Sequence, residues 1–147
     1  MQVSIYNQQQ DLNFSTDNLP RLVQEVLALE GESCDEVAIN FVDTETICRL
    51  HQDFFQDPSP TDCISFPLDD IETPGYRMLG EIFVCPETAL QYAQANNVDP
   101  RQELTLYVVH GLLHLLGYDD IEKKDRLAMR KAEKKHMEHL VSLDLCL

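Results

Sequence analysis

The order of apolar and polar positions along this chain predicts a series of short strands and amphipathic helices. Period-two alternation or a short continuous apolar run is typical of a strand, and such runs occupy residues 1–6, 36–42, 63–66 and 81–85. Apolar residues at helical spacing, bounded by polar caps and prolines, predict helices at residues 18–29, from Asp43 or Thr44 to Phe55, from Pro86 to about Asn96, over residues 104–117 and from about Ile121 onward. The proline-bearing segments 57–60 and 68–78 predict a turn and a loop.

The order of these elements indicates the fold class. Strands concentrate in the first half of the chain and helices in the second, which suits a sheet with helices packed against it. With 147 residues, of which 44% are hydrophobic, the chain is long enough for a single sizeable core. We therefore expect one small α+β domain over residues 1–147, in which a mixed β-sheet packs with the helices.

Composition indicates where such a protein works. The first part of the chain lacks the basic start and apolar stretch of a signal peptide. The longest apolar run, around residues 104–116, is shorter than the roughly 20 residues that a bilayer needs, and two histidines interrupt it. The five cysteines form an odd set without a C-x-x-C pair, which is typical of reduced thiols. We expect a cytoplasmic protein without a membrane span.

Two histidines in the long apolar helix point to metal chemistry. His110 and His114 are four residues apart, about one helical turn, so both imidazoles project from the same face. Gly117 offers an exit from the helix, and the carboxylates of Asp119 and Asp120 follow directly. Two imidazoles at this spacing, with a carboxylate returning to them, match the ligands of a zinc site. The plainer alternative is a pair of hydrogen-bonded core histidines.

One position argues against a peptidase. In zinc peptidases with the H-E-x-x-H motif, the residue after the first histidine is a glutamate that serves as general base. In this chain that residue is Gly111. A metal with three protein ligands and an open position still lowers the pKa of water towards neutrality, so hydrolysis of another substrate class stays available.

Three segments of the chain resemble one known family. Residues 110–119, HGLLHLLGYD, resemble the H-G-x-L-H-L-x-G-Y-D-H signature of the YbeY family of bacterial metal-dependent endoribonucleases. Residues 61–67, TDCISFP, and residues 79–85, LGEIFVC, resemble the family's T-D-V-L-S-F-P and L-G-D-I-x-I-C strands. These anchors occur in the family's order across nearly the whole chain.

The resemblance implies a cytoplasmic enzyme that cuts single-stranded ribosomal RNA. Its implied role is 16S rRNA 3′-end processing, ribosome maturation and quality control, with ribosomal RNA and the small ribosomal subunit as partners. One zinc-like ion is held by three side chains in the family. The family's third ligand is the histidine that ends the motif, and Asp120 stands there in this chain. Because a carboxylate oxygen is a normal zinc ligand, His110, His114 and Asp120 remain the expected set for Zn²⁺ or another divalent metal.

A second departure from the family concerns the substrate phosphate. The family has a basic residue shortly before the T-D-x-x-S-F-P strand, and this chain has Phe55 at that place. Arg49 and Arg77 are the candidates to act as catalytic residues on the phosphate instead. The alternative is that phosphate chemistry is weakened in this chain.

Positive charge is concentrated after the metal motif. The net charge of −15 is unusual for a protein that binds nucleic acid, because phosphates are drawn to Lys and Arg. One stripe of the last predicted helix carries Lys123, Arg126, Arg130 and Lys134 at spacings of three and four. RNA is one partner for this stripe, and the alternative is a solvated face balanced by the acidic remainder of the molecule.

The buried side of the same helix is predicted at Met129, Ala132, His136 and Leu140, although His136, like His139, also suits a surface position near the helix end.

Three functions from different classes follow from these observations. The leading hypothesis is a metal-dependent endoribonuclease, in which the two histidines and Asp120 hold the ion and Arg77 or Arg49 steadies the phosphate. The second is a metal-dependent peptidase or other hydrolase, which Gly111 disfavours. The third is a non-cleaving ribosome-associated factor, which the departures at Phe55 and Asp120 suggest.

Overall fold

The computed structural model describes residues 1–68 and 74–147, and every predicted strand and helix is present in them. The strands are β1 (Gln2–Gln8), β2 (Glu36–Val42), β3 (Cys63–Pro67) and β4 (Met78–Val84). The helices are α1 (Leu19–Leu29), α2 (Thr44–Phe55), α3 (Pro86–Asn96), α4 (Pro100–Leu115) and α5 (Lys123–Ser142). Part of the predicted loop 68–78, at residues 69–73, lies outside the described residues.

The sheet is mixed and has the strand order β1-β2-β4-β3. β1 and β4 flank β2 and run parallel to it, whereas β3 runs antiparallel to β4. Parallel neighbours need a crossover connection, and α1 supplies it between β1 and β2. Six of the seven residues of the central strand β2 are buried, as expected for a strand covered on both faces. The predicted α+β class with a mixed sheet is confirmed.

The long helix α4 lies at the centre of the fold. Nine of its sixteen residues are buried, because it contacts β3, β4, α3 and α5, and this burial explains why its sequence is apolar almost all round. Gly111 brings the helix close to the sheet, since a Cβ there would lie 2.8 Å from Cys63 Sγ and 3.1 Å from Ile82 Cγ2. This close approach places the half of α4 that carries both histidines directly against β3 and β4.

Local signals determine where the helices around the site begin and end. The Asp43 carboxylate accepts a hydrogen bond from the Thr46 N–H at 2.8 Å and caps α2, so Asp43 rather than Thr44 is the cap. The Asp99 carboxylate accepts from the Arg101 N–H at 2.8 Å and caps α4. Beyond α4 the chain turns at Gly117, whose φ of 102° is costly for other residues.

Helix α5 packs its apolar side against α1 and α4. The predicted buried residues Met129, Ala132, His136 and Leu140 are confirmed as buried. The surface alternative for His136 is wrong, because this side chain is 0% exposed and its Nε2 lies 2.9 Å from Oε2 of Glu30. Among the described residues, no helix is both long enough and apolar enough to cross a bilayer.

Candidate metal centre

Three potential metal ligands converge at the C-terminal part of α4. The Nε2 atoms of His110 and His114 lie 3.1 Å from each other. Asp120, in the turn between α4 and α5, places Oδ2 at 3.7 Å from Nε2 of His110 and 3.4 Å from Nε2 of His114. All three ligand atoms lie within 4.8 Å of one another. The structure therefore brings the three predicted metal residues together at one point.

Hydrogen bonds behind each imidazole determine which nitrogen faces the centre. His110 Nδ1 donates to Oε1 of Glu133 at 2.7 Å, and His114 Nδ1 donates to the Tyr118 carbonyl oxygen at 3.0 Å. Since both partners are acceptors, each neutral imidazole presents an unprotonated Nε2 to the centre. Two nitrogen lone pairs and a carboxylate oxygen then face one another, which is unfavourable unless a cation lies between them. This donor set fits a zinc-like ion.

Glu133 is a residue of the site that the sequence pattern did not single out. It belongs to α5, is 5% exposed, and has its second carboxylate oxygen 3.7 Å from Nη1 of Arg130. A carboxylate in this position orients a ligand histidine and raises its basicity. Burial by itself lowers the pKa of His110, but the hydrogen bond and charge of Glu133 outweigh burial and raise that pKa above its ordinary value. The available signal was a glutamate within the buried stripe of α5.

Tyr118 anchors the turn that carries the third ligand. Its hydroxyl donates to Oε1 of Glu30 at 2.6 Å, and this hydrogen bond raises the pKa of Tyr118 to about 12. The other oxygen of Glu30 bonds Nε2 of His136 at 2.9 Å. The turn is therefore tied through Glu30 to the C-terminal end of α1 and to α5, behind the candidate metal ligands, and the Tyr118 ring packs against the core.

The two aspartates of the turn, Asp119 and Asp120, make different contacts. Oδ1 of Asp119 accepts the N–H groups of Asp120 and Ile121 at 2.7 and 3.2 Å, which stabilises the turn. Asp120 is the carboxylate beside the imidazoles, and its side chain is 45% exposed, compared with 22% for His110 and 26% for His114. The centre is therefore most accessible to solvent on the Asp120 side.

Comparison with known proteins identifies the family. The sequence profile described as Endoribonuclease YbeY matches residues 4–141. The chain belongs to the YbeY family. Endoribonuclease YbeY of Protochlamydia amoebophila (strain UWE25) is 57% identical over 143 residues, which cover 97% of this chain and 95% of the relative. Endoribonuclease YbeY of Chlamydia trachomatis serovar D is 39% identical over 134 residues, which cover 90% of this chain and 83% of the relative.

A solved structure supports the same relationship. The solution structure of TM1509 from Thermotoga maritima matches with a TM-score of 0.65 and 30% identity, and the match covers 93% of this chain and 87% of that one. The YbeY resemblance drawn from the sequence motifs is confirmed.

The contacts described for the two arginines predicted to act in this YbeY-family site are with other parts of the protein. Arg77, just before β4, donates from Nη1 to Oε2 of Glu32 and to the Ser33 carbonyl oxygen, each at 2.8 Å. Arg49 is exposed on α2, where hydrogen bonds with Thr46 lower the pKa of Asp43 and the charge of Arg49 adds to that effect. These described contacts do not reach the metal ligands, so a role at a phosphate stays a prediction for both.

Of the four residues of the basic stripe, Arg130 lies beside the candidate metal centre. Lys123, Arg126, Arg130 and Lys134 are all exposed on α5. Arg130 lines a cavity together with His110 and Glu133, and its charge therefore lies beside the centre. Lys134 lies 4.0 Å from the carboxylate of Glu138. Arg126 donates to the Ile121 carbonyl oxygen at 2.6 Å.

Two cavities of about 320 Å³ each adjoin the two imidazoles. The cavity at His110 is acidic, and burial together with the charges of Asp62 and Glu133 raises the pKa of Glu103. The cavity at His114 is aromatic and includes Phe55, the residue at the basic position of the YbeY family. The two sides of the centre therefore differ in charge.

Proposed function

We propose that this chain is a metal-dependent endoribonuclease whose centre is formed by His110, His114 and Asp120. The observation that carries the proposal is the convergence of two Nε2 atoms and one carboxylate oxygen within 4.8 Å, with an acceptor behind the Nδ1 atom of each imidazole. The named relatives are endoribonucleases, so the proposed reaction is hydrolysis of a phosphodiester bond in RNA.

The proposed ion is Zn²⁺. Two imidazoles and one carboxylate leave one position open, as catalytic zinc sites do, and the carboxylate also suits harder divalent metals. When bound, the ion supplies Lewis-acid stabilisation of a phosphoryl oxygen and lowers the pKa of water towards neutrality. The protein's part is to orient the ligands, because Glu133 and the Tyr118 carbonyl oxygen hold the two imidazoles with their lone pairs directed at one point.

The proposed substrate is single-stranded ribosomal RNA in the cytoplasm. Within that class we propose 16S rRNA 3′-end processing and ribosome maturation, with the small ribosomal subunit as partner. The support is the family relationship together with the exposed stripe Lys123, Arg126, Arg130 and Lys134. A concentrated positive stripe attracts phosphates locally even though the net charge is −15.

Arg77 or Arg49 is proposed to steady the scissile phosphate in place of the basic residue that Phe55 replaces. A group that stabilises charge developing at the phosphate affects cleavage more than binding, so Arg77→Ala and Arg49→Ala should lower the cleavage rate more than RNA affinity. Glu32→Gln is the matched control for Arg77, because it removes one ionic partner and leaves the guanidinium. Equal losses in Arg77→Ala and Glu32→Gln would assign Arg77 to structure instead.

The function is tested by cleavage of an RNA fragment that spans the 3′ end of precursor 16S rRNA. We expect the zinc-loaded protein to cut it, His114→Ala to lose activity, and chelator to abolish activity until metal is restored. His139→Gln is the control, because His139 pairs with Glu25 on α1 rather than with the metal ligands. Activity that survives both His114→Ala and chelator would overturn the proposal.

The second candidate is a non-cleaving ribosome-associated factor. The observation that favours it is Phe55 at the basic position, within a cavity whose lining contains no Lys or Arg among the described residues. A wild-type protein that binds metal and the small subunit but leaves RNA intact would support this candidate over the first.

A further inference from the structure

The cavity beside His114 has no function in the chemistry proposed above. Its volume is about 320 Å³, and its lining comes from α2, from the segment before β3, from β3 and from α4. His114 is one of the lining residues, and it is also one of the three metal ligands. A group that fills the cavity would therefore lie next to a group bound at the metal centre.

Phe55 gives this cavity an exposed aromatic wall. Its side chain is 52% exposed, and its ring lies 5.7 Å from that of His51, with a 56° angle between the ring planes. The neighbouring Phe54 is also exposed, but its ring packs edge-on against Phe66 at 4.9 Å and does not line the cavity. Covering an exposed ring at the edge of a cleft with a flat apolar surface removes it from water and is therefore favourable.

The polar groups of the lining are imidazoles, hydroxyls and a thiol. His51 Nδ1 donates to the Ser59 carbonyl oxygen at 2.8 Å, and its Nε2 lies 4.0 Å from Oδ2 of Asp57. Ser65 donates from Oγ to the Gly111 carbonyl oxygen at 3.1 Å and keeps its acceptor capacity, and the hydroxyl of Thr61 lies on the same lining. The described lining contains no Lys or Arg, so a phosphate finds no ammonium or guanidinium group to bind here.

We propose that this cavity binds one unpaired nucleobase of single-stranded RNA, stacked on Phe55, next to the phosphate at the metal centre. The inference rests on the proposed function, because it assigns the nucleotide beside the scissile phosphate. Single-stranded RNA is commonly held by bases stacked on aromatic side chains and hydrogen-bonded at their edges. A flat ring with polar edges matches the aromatic wall and the imidazole and hydroxyl groups around it.

The proposal also explains how an acidic chain holds RNA near its metal ligands. Stacking does not depend on counterion release, whereas contacts between basic residues and phosphates do. Phe55 then supplies by stacking a contact that a basic residue at this position would supply by charge.

The test measures binding of a short single-stranded RNA that carries 2-aminopurine at successive positions to the zinc-loaded protein, with the fluorescence recorded before cleavage sets in. Stacking quenches the fluorescence of this base. We expect quenching at a defined position with the wild type and with Phe55→Tyr, and loss of quenching with Phe55→Ala and Phe55→Leu. Loss of one stacked base should weaken binding by about 5- to 150-fold and leave its salt dependence unchanged.

Tyr6→Ala is the matched control. Tyr6 is a half-exposed aromatic residue, at 50%, on β1, the opposite edge of the sheet from β3. We expect this variant to bind and quench as the wild type does. Phe55→Leu keeps the test valid if Phe55→Ala unfolds α2, since leucine retains the apolar bulk without the aromatic face. Wild-type quenching and affinity in Phe55→Leu, or equal losses in Phe55→Leu and Tyr6→Ala, would overturn the base site.

Cleavage measurements separate this inference from the proposed function. A wild-type protein that cuts RNA, with Phe55→Leu and Phe55→Ala cutting and binding equally well, would overturn the base site and leave the endoribonuclease intact. Quenching that disappears in both Phe55 variants, in a protein that never cuts RNA, would support the base site and overturn the enzyme.

Discussion

Glu133 on α5 accepts a hydrogen bond of 2.7 Å from Nδ1 of His110 on α4. The two residues come from different helices, so the packing of α5 on α4 determines how one of the proposed metal ligands is oriented. Because Glu133 is 5% exposed, water has little access to replace its carboxylate.

Replacement of this carboxylate should weaken the metal centre and leave the fold intact. Glu133→Gln preserves the shape of the side chain but removes the charge that raises the pKa of His110, and we expect zinc affinity to fall about 10- to 100-fold. Competition with a chromophoric chelator measures the Kd. Glu138→Gln on the same helix is the control, since its side chain is 70% exposed. Identical affinity in both variants would contradict a role for Glu133 at the metal.

The third ligand can be tested by exchange of Asp120. If its carboxylate binds the ion, Asp120→Asn should retain less metal, and Asp120→His should retain as much or more because it completes a three-imidazole site. Elemental analysis after dialysis gives the metal content. Asp119→Asn is the control, because an amide oxygen can still accept the two N–H groups of the turn. Equal metal content in all four proteins would show that position 120 is not a ligand.

The basic stripe should contribute to RNA binding mainly through charge. The double variant Arg126→Gln and Lys134→Gln removes two exposed charges without adding negative charge near Glu133. We expect weaker binding to every single-stranded sequence, and a salt dependence of log K that is flatter by about 0.7 per lost phosphate contact. Arg21→Gln, which removes an exposed charge from α1, serves as the comparison. A loss confined to one RNA sequence would argue against phosphate contacts.

The buried pair Glu30 and His136 should make stability depend on pH. Burial lowers the pKa of His136, and the hydrogen bond with Glu30 offsets this only in part. The Nδ1 atom of His136 also has no hydrogen-bond partner among the described residues. Because the unfolded chain takes up a proton on this residue before the folded chain does, its contribution to stability is present above the ordinary histidine pKa of about 6.5 and is lost as pH falls below it.

Denaturant unfolding in chelator measures this dependence without the metal's own pH effect. We expect the stability advantage of the wild type over His136→Gln to shrink as pH is lowered from about 7.5 to about 5.5. An advantage that grows towards acid pH would mean that His136 is protonated in the folded protein.

Elements with local signals were predicted accurately from sequence. The Asp43 cap and Pro86 act within a single helical turn, and α2 and α3 begin where these residues predict. The convergence of His110 and His114 was predictable for the same reason, because the two residues share one face of one helix. The third ligand was placed by the register of the family motif.

Features that depend on packing between distant segments could not be predicted in this way. The contact between Glu133 and His110 requires α5 to lie on α4, and His136 is buried because Glu30, far away along the chain, supplies its hydrogen bond. β4 begins at Met78 instead of residue 81, because Met78 pairs with Glu36 of β2 across the sheet. The strand order β1-β2-β4-β3 likewise has no signal in the alternation of apolar positions.

The close packing of Gly111 against the sheet excludes the general base of one class of zinc peptidases from this position. To become a peptidase of the H-E-x-x-H kind, this helix would need glutamate at position 111, yet even a methyl group there would meet Cys63 Sγ at 2.8 Å and Ile82 Cγ2 at 3.1 Å. A longer side chain would force α4 away from β3 and β4 and would bury an unpaired carboxylate between helix and sheet. The contact that positions the two histidines therefore confines this scaffold to hydrolytic chemistry that works without a base at that position, and selection or engineering would have to introduce a base from another element.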